Sequence, residues 1–448
     1  MLPDDLGSCH QANCIGGALD PLPRTMADCR SIGMLLFSRL RPLARALGHP
    51  SYRNYAIGSS VSVVGTWIQR IATGWLAWEL THSGAWIGAL AFMELFPSTV
   101  FGPIGGALVD RRDRLAMVKL TQGLSMLTSA AMTVAAFTGN LTIWLLAALV
   151  CTHGVIQAFA QPARLSLISN LVPREDLPVA VALNSITFNT ARFIGPTIAG
   201  FIIVGGGTSW AFLANALAYA WLQVALTRVR PLTSTAPLPR DGRTTSLIVE
   251  VTEGWRYAMG HPGIGPMLWL MIVSSMLTRP VVELMPAFAG AVFKSDAHGL
   301  AQLTAAIGIG AIIGGIFLAQ RDRLTGLTRL NQVSGIVVAL LVLLFAATDD
   351  IHLGIVAIGI GGGAMVINGT AGQTLIQSAV AAPMRGRVLG LYGIIFRGGP
   401  ALGALIMGVL SEWWGLRWPV AGGAILALCF YAWFARRLPR MARSLEGG

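Results

Sequence analysis

The chain has 448 residues, 54% of them hydrophobic and 12% charged, with a mean hydropathy of +0.65. A bilayer-crossing helix needs ~20 mostly apolar residues, and the sequence supplies that length twelve times over, which excludes a soluble globular protein. The net charge of +12 does not indicate nucleic acid, because 26 of the 32 basic residues fall in alternate loops on one side and only Lys294 and Arg417 on the other.

Residues 1–50 form a leader. Its stretch Met34–Leu47 mixes apolar residues with three arginines and predicts a short helix lying on the membrane surface. Cys9, Cys14 and Cys29 in this leader fit no zinc spacing. With Cys151 and Cys429 inside spans, no cysteine lies in an outer loop, so no disulfide is expected.

A first group of six spans, within 51–227, is expected at 54–78, 85–109, 115–138, 141–164, 180–203 and 208–227. A polar break at 228–262 holds Pro231, Pro237 and Pro239 and then a helical segment over about 244–259; it reads as a linker. A second group, within 263–437, is expected at 264–291, 299–320, 328–347, 352–376, 387–410 and 414–435, leaving a tail at 438–448. The predicted fold class is an all-α polytopic membrane protein of twelve transmembrane helices, in two six-helix bundles related by pseudo-two-fold symmetry. The one-sided basic loops place both termini in the cytosol.

The halves echo each other. GGALVDRRDR at Gly105–Arg114 returns as GGIFLAQRDR at Gly314–Arg323, an offset of 209 that also carries Arg70 onto Arg279. ARFIGPTIAG, starting at Ala191, is echoed by FRGGPALG, starting at Phe396, so that Arg192 falls on Arg397. Parallel six-helix repeats of this kind handle a substrate between the halves near mid-membrane.

Charges inside spans cost at least ~2.5–3.5 kcal/mol when uncompensated and mark function. Arg70 lies nine residues from the outer end of the first span and Glu94 nine from the outer start of the second. Both therefore sit ~14 Å deep on adjacent antiparallel helices and are expected to pair. Arg279 and Glu283, four apart on the seventh span, can meet on one helix face. Arg192 and Arg397 have no acid in their own spans; each shortly precedes a proline whose freed carbonyls it can bond, the rival reading being contact with substrate. Glu94, with Glu283 second to it, is the candidate proton carrier; the rival reading makes these charges helix-locking pairs only.

Gly195, Pro196 and Gly200 predict a bent, tightly packed fifth span. Trp67, Gln69, Asn184, Asn189, Asn368, Gln373 and Gln377 are candidates for the lining of a polar cavity, while Trp78 and Trp86 fit the membrane interface. His153 reads as a helix-packing residue before a proton relay.

The strongest motif is Gly106-x-x-x-Asp110-Arg111-x-x-Arg114: a glycine for close helix contact, then an acid among arginines able to latch the halves on one side. It resembles the hallmark loop of the major facilitator superfamily. The second copy departs from it, with Ala319 and Gln320 at the Asp110 and Arg111 positions. WIQRIATGWLAWELT, QPARLSLISNLVPREDLPVAVALNS, EGWRYAMGHP and RGRVLGLYGIIFRGGPALGALIMG are similar to exporters of the enterobactin-exporter and macrolide-efflux type. GPxxxG in the fifth span partly resembles a drug/proton antiporter signature, without its usual double glycine.

The resemblance implies a proton-coupled exporter of amphipathic organic compounds, siderophores or macrolide-like drugs, in the bacterial cytoplasmic membrane. Its partners are a small-molecule substrate, protons and the lipid bilayer, with no nucleic acid, and the chain is expected to act as a monomer. The rival readings are an importer or lipid flippase of the same fold, or a membrane sensor or scaffold. No enzyme activity and no cofactor or metal is expected: the only lysines, Lys119 and Lys294, lack a preceding glycine-rich phosphate loop, and no nucleophile–base set appears.

Overall fold

A computed structural model describes residues 43–447 apart from 110, 233–246 and 322. The leader helix expected at Met34–Leu47 therefore lies outside the described residues but for its last part; 43–48 are helical. Twelve crossing segments follow in two sets of six. The first set is α1 (Pro50–Thr81), α2 (Gly84–Val109), α3 (Arg114–Phe137), α4 (Ile143–Leu171), α5 (Leu177–Gly206) and α6 (Thr208–Thr227). A linker helix, Leu247–Gly260, leads to the second set.

The seventh crossing segment, α7, comes in pieces. Ile264–Val273 is α-helical, Ser274–Thr278 is a π turn, Pro280–Glu283 and Met285–Ala287 are short α pieces, and Phe288–Val292 is a second π turn. Then come α8 (Ala297–Ala319), α9 (Leu327–Ala347), α10 (Ile351–Ala379), α11 (Arg385–Trp414), α12 (Arg417–Ala435) and a tail helix, Leu438–Leu445. Eleven of the twelve are long and apolar enough to cross a membrane. The other, α1, has 32 residues but carries Ser59, Ser62, Gln69 and Thr73 buried against its neighbours, which dilutes its hydropathy.

Local chemistry sets the ends. Asp113, Thr142, Asp296 and Asp350 accept backbone N–H groups in the first turns of α3, α4, α8 and α10, satisfying donors that have no partner inside the helix. The matching turns after α5 and α11 use Gly207 and Gly415 at φ 87° and 75°, a left-handed backbone that glycine adopts without a Cβ clash. Pro196 and Pro400 sit inside α5 and α11 without breaking them. Both helices run on through their prolines, and an interruption falls in α7, at Pro280 and Pro286. One lost backbone bond is tolerated where neighbouring helices hold the segment.

Both described ends of the chain lie on one face. Arg45 and His49 bond Asp176 between α4 and α5, Ser51 meets Arg230 after α6, and Glu446 caps Gly326 and Thr328 before α9. On this terminus face each half has its own apolar core: Tyr52, Val118, Leu167 and Leu222 in the first, Met267, Leu375, Val388 and Phe434 in the second. Toward the opposite face one core joins them, with Ile68, Trp75 and Leu90 of the first half against Met285, Phe288 and Leu300 of the second. Among the described residues, apolar burial joins the halves at that end, at about 25 cal/mol per Å² of apolar surface.

Glycines show the same split. On the far side Gly84 and Gly88 of α2 abut Ser411 and the Ala404 carbonyl of α11, and Gly200 of α5 abuts Ala301 of α8. Toward the terminus face Gly102 and Gly106 of α2 and Gly386, Gly390 and Gly393 of α11 meet nothing within 4 Å of where a Cβ would stand. Among the described residues the molecule is sealed at the far face and open at the terminus face.

Candidate functional site

At the inner end of the far-face seal, α1 meets α7 in three successive rungs. Trp78 lies against Gly290, Gly74 against Pro286, and innermost Arg70 against Glu283. Arg70 Nη2 donates to Glu283 Oε1 at 2.8 Å and Oε2 at 2.7 Å. Its Nε lies 3.9 Å from Glu94 Oε2 of α2. One guanidinium thus serves two carboxylates, one from each half, in a pocket that Thr73 and Thr304 also line.

Of the two expected pairs, Arg70–Glu94 is present at 3.9 Å and Arg279–Glu283 is not. Glu283 crosses to Arg70 of the other half and does not pair with Arg279; Glu94 is the looser of the two acids. The two part although both follow the π turn Ser274–Thr278: Arg279 reaches toward the Met365 carbonyl at 3.4 Å and lies 4.4 Å from the Phe396 ring, while Glu283, four residues on, bonds Arg70 of α1. π turns of this kind recur at functional sites because the extra residue re-aims the side chains that follow.

Arg192 of α5 lies 5.8 Å from the Trp67 ring, which also takes Arg70 at 5.3 Å and meets Phe188 edge-on at 6.0 Å. Gly195 is where the α5 backbone receives the Trp67 side chain. Neither Arg192 nor Arg397 bonds a helix carbonyl among the described residues, since Pro196 and Pro400 leave their helices unbroken.

Two expected lining residues belong elsewhere. Gln69 is buried in the first half, accepting from Ser129 and Asn215, and Asn368 is buried in the second, joined to Ser274, Asn331 and Tyr431. Each satisfies polar groups between helices of its own bundle, so neither is free for a solute. Gln373 touches Tyr392, Asn189 bonds Ser185 one turn back, Asn184 is half-buried and Gln377 is exposed.

Of the hallmark loop, Asp110 lies outside the described residues. Arg111 is exposed, and Arg114 ties α3 to the end of α4 through Asn170 Oδ1 at 2.8 Å. Gly106, expected at a close helix contact, faces open space because α2 and α11 are splayed at this end. His153 bonds Tyr219 at 3.0 Å and Gln157 at 3.1 Å inside the first half. Arg164, the last residue of the expected fourth span, lies well inside α4, which runs on to Leu171, and donates to Gln122 at 3.0 Å. The only signal for it was that the fourth apolar stretch runs on past residue 164.

Sealed at one face, open at the other, with an ion pair spanning the two bundles, the molecule is a membrane transporter of the major facilitator type. Comparison with known proteins agrees. Residues 40–446 match the transmembrane secretion effector family, and the chain belongs to it. It is 24% identical over 360 residues to the staphyloferrin A transporter of Staphylococcus aureus, covering 79% of this chain and 87% of that protein. It is 26% identical over 378 residues to the enterobactin exporter of Salmonella typhi, covering 84% and 89%. Among solved structures it shares the fold of a bacterial homologue of the lysosomal transporter Spinster in an inward-facing, unoccupied conformation. There the TM-score is 0.66 at 14% identity, covering 88% of this chain and 98% of that one. It also shares the fold of a nucleoside transporter, at TM-score 0.66 and 13% identity, covering 86% and 99%.

Proposed function

We propose that the protein is a proton-coupled exporter of amphipathic organic compounds, of the siderophore or macrolide-like kind. It would sit in a bacterial cytoplasmic membrane with both termini in the cytosol and act as a monomer. The observation that carries this reading is the Arg70–Glu283 bridge between the halves, with Glu94 competing for the same guanidinium. The relatives named for siderophore transport support the cargo class, and the basic loops on the terminus face support the orientation.

Within the contact group of Arg70, Glu94 and Glu283, one guanidinium faces two carboxylates, and a proton on one of them balances the group. With the proton on Glu94, Arg70 belongs wholly to Glu283, and the far face stays shut. When Glu94 gives its proton to the open cavity, it competes for Arg70, loosens the bridge to α7 and favours opening of the far face. A proton taken from outside restores the bridge. Each cycle thus exchanges one inward proton for cargo moving out, as an antiporter requires. Asp110 would act as the latch of the terminus face in the far-open state, with Arg111 and Arg114 beside it in sequence.

The test is metabolite profiling of medium and cytosol in a deletion strain against its parent under iron limitation. A compound lost from the medium and trapped inside is expected. A compound left in the medium and missing inside would make the protein an importer.

A further inference from the structure

Four arginines but only two glutamates stand in the central region, and both glutamates are taken up with Arg70. Arg192 and Arg279 make no ion pair among the described residues. Both are half-buried. Arg279 has a single long contact to a carbonyl, and Arg192 rests on an aromatic ring. Arg192 shares the Trp67 ring with Arg70, whose partner Glu283 lies four residues after Arg279, so the two unpaired guanidiniums flank the same bridge although they come from different halves.

Aromatic rings frame both. Trp67 and Phe188 stand beside Arg192, and Phe396, stacked on Tyr392 at 5.7 Å, stands beside Arg279. A cation that leans mainly on rings in a membrane interior, as Arg192 does and as Arg279 does but for its long bond to Met365, keeps most of its hydrogen-bond donors free. Helix-locking arginines would instead spend those donors on carbonyls or carboxylates.

We infer that Arg192 and Arg279 form an anion site that takes the acid group of an amphipathic substrate, with Trp67, Phe188, Phe396 and Tyr392 receiving its aromatic or apolar part. The site rests on the transporter reading above and divides its labour: Glu94 carries the proton, and these two arginines select a negatively charged cargo. Guanidinium suits the task because its planar fork meets a carboxylate with two parallel N–H donors. An acid group held by both would tie α5 of one half to α7 of the other, so that cargo acts on the same boundary as the Arg70–Glu283 bridge.

The test is calorimetric titration of the full chain in lipid nanodiscs with 2-naphthoate and with its neutral isostere, 2-naphthamide. Wild-type protein is expected to bind the acid about tenfold more tightly than the amide, or about 1.4 kcal/mol. Arg192→Gln and Arg279→Gln should each remove that preference while still binding the amide, which reports an intact cavity. Arg279→Lys should keep part of it. Equal affinity for acid and amide, no binding of the acid, or an undiminished preference in both glutamine variants overturns the proposal. No gradient is applied, so this outcome is separate from proton coupling: failure of pH-driven transport would leave the anion site standing, and failure of the anion site would leave coupling untouched.

Discussion

Arg70 and Arg279 occupy matching places in the two halves, yet their surroundings are opposite. Arg70 sits on an unbroken 32-residue helix and is held by carboxylates from both halves. Arg279 sits on a segment interrupted by two π turns and two prolines, and it leans on Phe396 without a carboxylate. The repeat placed a cation at the centre of each bundle, and the broken segment separated their duties. It turned Glu283 away from its own arginine and toward the other half. One cation became part of a proton-sensitive clasp, and the other was left free for an anion.

Removing each cation in turn bears on this contrast most strongly. Arg70→Met strands Glu94 and Glu283 together, and breaking a buried pair by deleting one partner costs about 3–5 kcal/mol. A large fall in thermal unfolding temperature and loss of transport are expected. Arg279→Met forfeits a cation–π contact of about 0.5–2 kcal/mol and relieves an unpaired charge, so little loss of thermal stability is expected. Equal losses in the two variants would erase the contrast.

The seal can be broken without touching a charge. Gly88→Val drives a side chain into the Ala404 carbonyl of α11. It should hold the far face open and reduce transport by more than about tenfold, since packed interfaces do not yield to an added branch. Distance measurements between spin labels on α2 and α11 would show it. The same change at Gly390, which meets nothing in this state, should leave the far-face distance as in wild type.

The smallest effect is expected at the terminus face, where Asp176 fastens the start of α1. Its hydrogen bond from His49, then Arg45, holds the carboxyl below its usual value. A lowered folded value means that the fastening is present above the unfolded carboxylate range and is lost as pH falls through the folded one. Asp176→Asn should raise hydrogen exchange in residues 43–50 at neutral pH to the level that wild type reaches only in acid. Unchanged exchange would show that this contact holds nothing.

Much of the fold is readable in the sequence, because bilayer thickness imposes span length and the repeat offset aligns the halves. Arg70 and Glu94 could be brought together by depth alone. What depth does not give is rotation. Glu283 lies at the expected level but bonds Arg70 of α1 and not the arginine four residues before it. Gln69 and Asn368 are polar and central, yet they point into their own bundles, where hydroxyl and amide partners wait. Gly106 has a small-residue motif but no neighbour, because only one end of the molecule is closed. Arg164 escaped notice because the helix end, not the charge, was misplaced.

The most direct measurement is the distance between spin labels at Gly102 of α2 and Gly390 of α11, at acid and at alkaline pH, in wild type and in Glu94→Gln. Protonated Glu94 leaves Arg70 to Glu283 and keeps the terminus face open, so the wild-type distance should shorten as pH rises. Glu94→Gln, fixed in the neutral form, should stay long at both. A variant that closes with rising pH as wild type does would contradict Glu94 as the proton carrier and the coupling built on it.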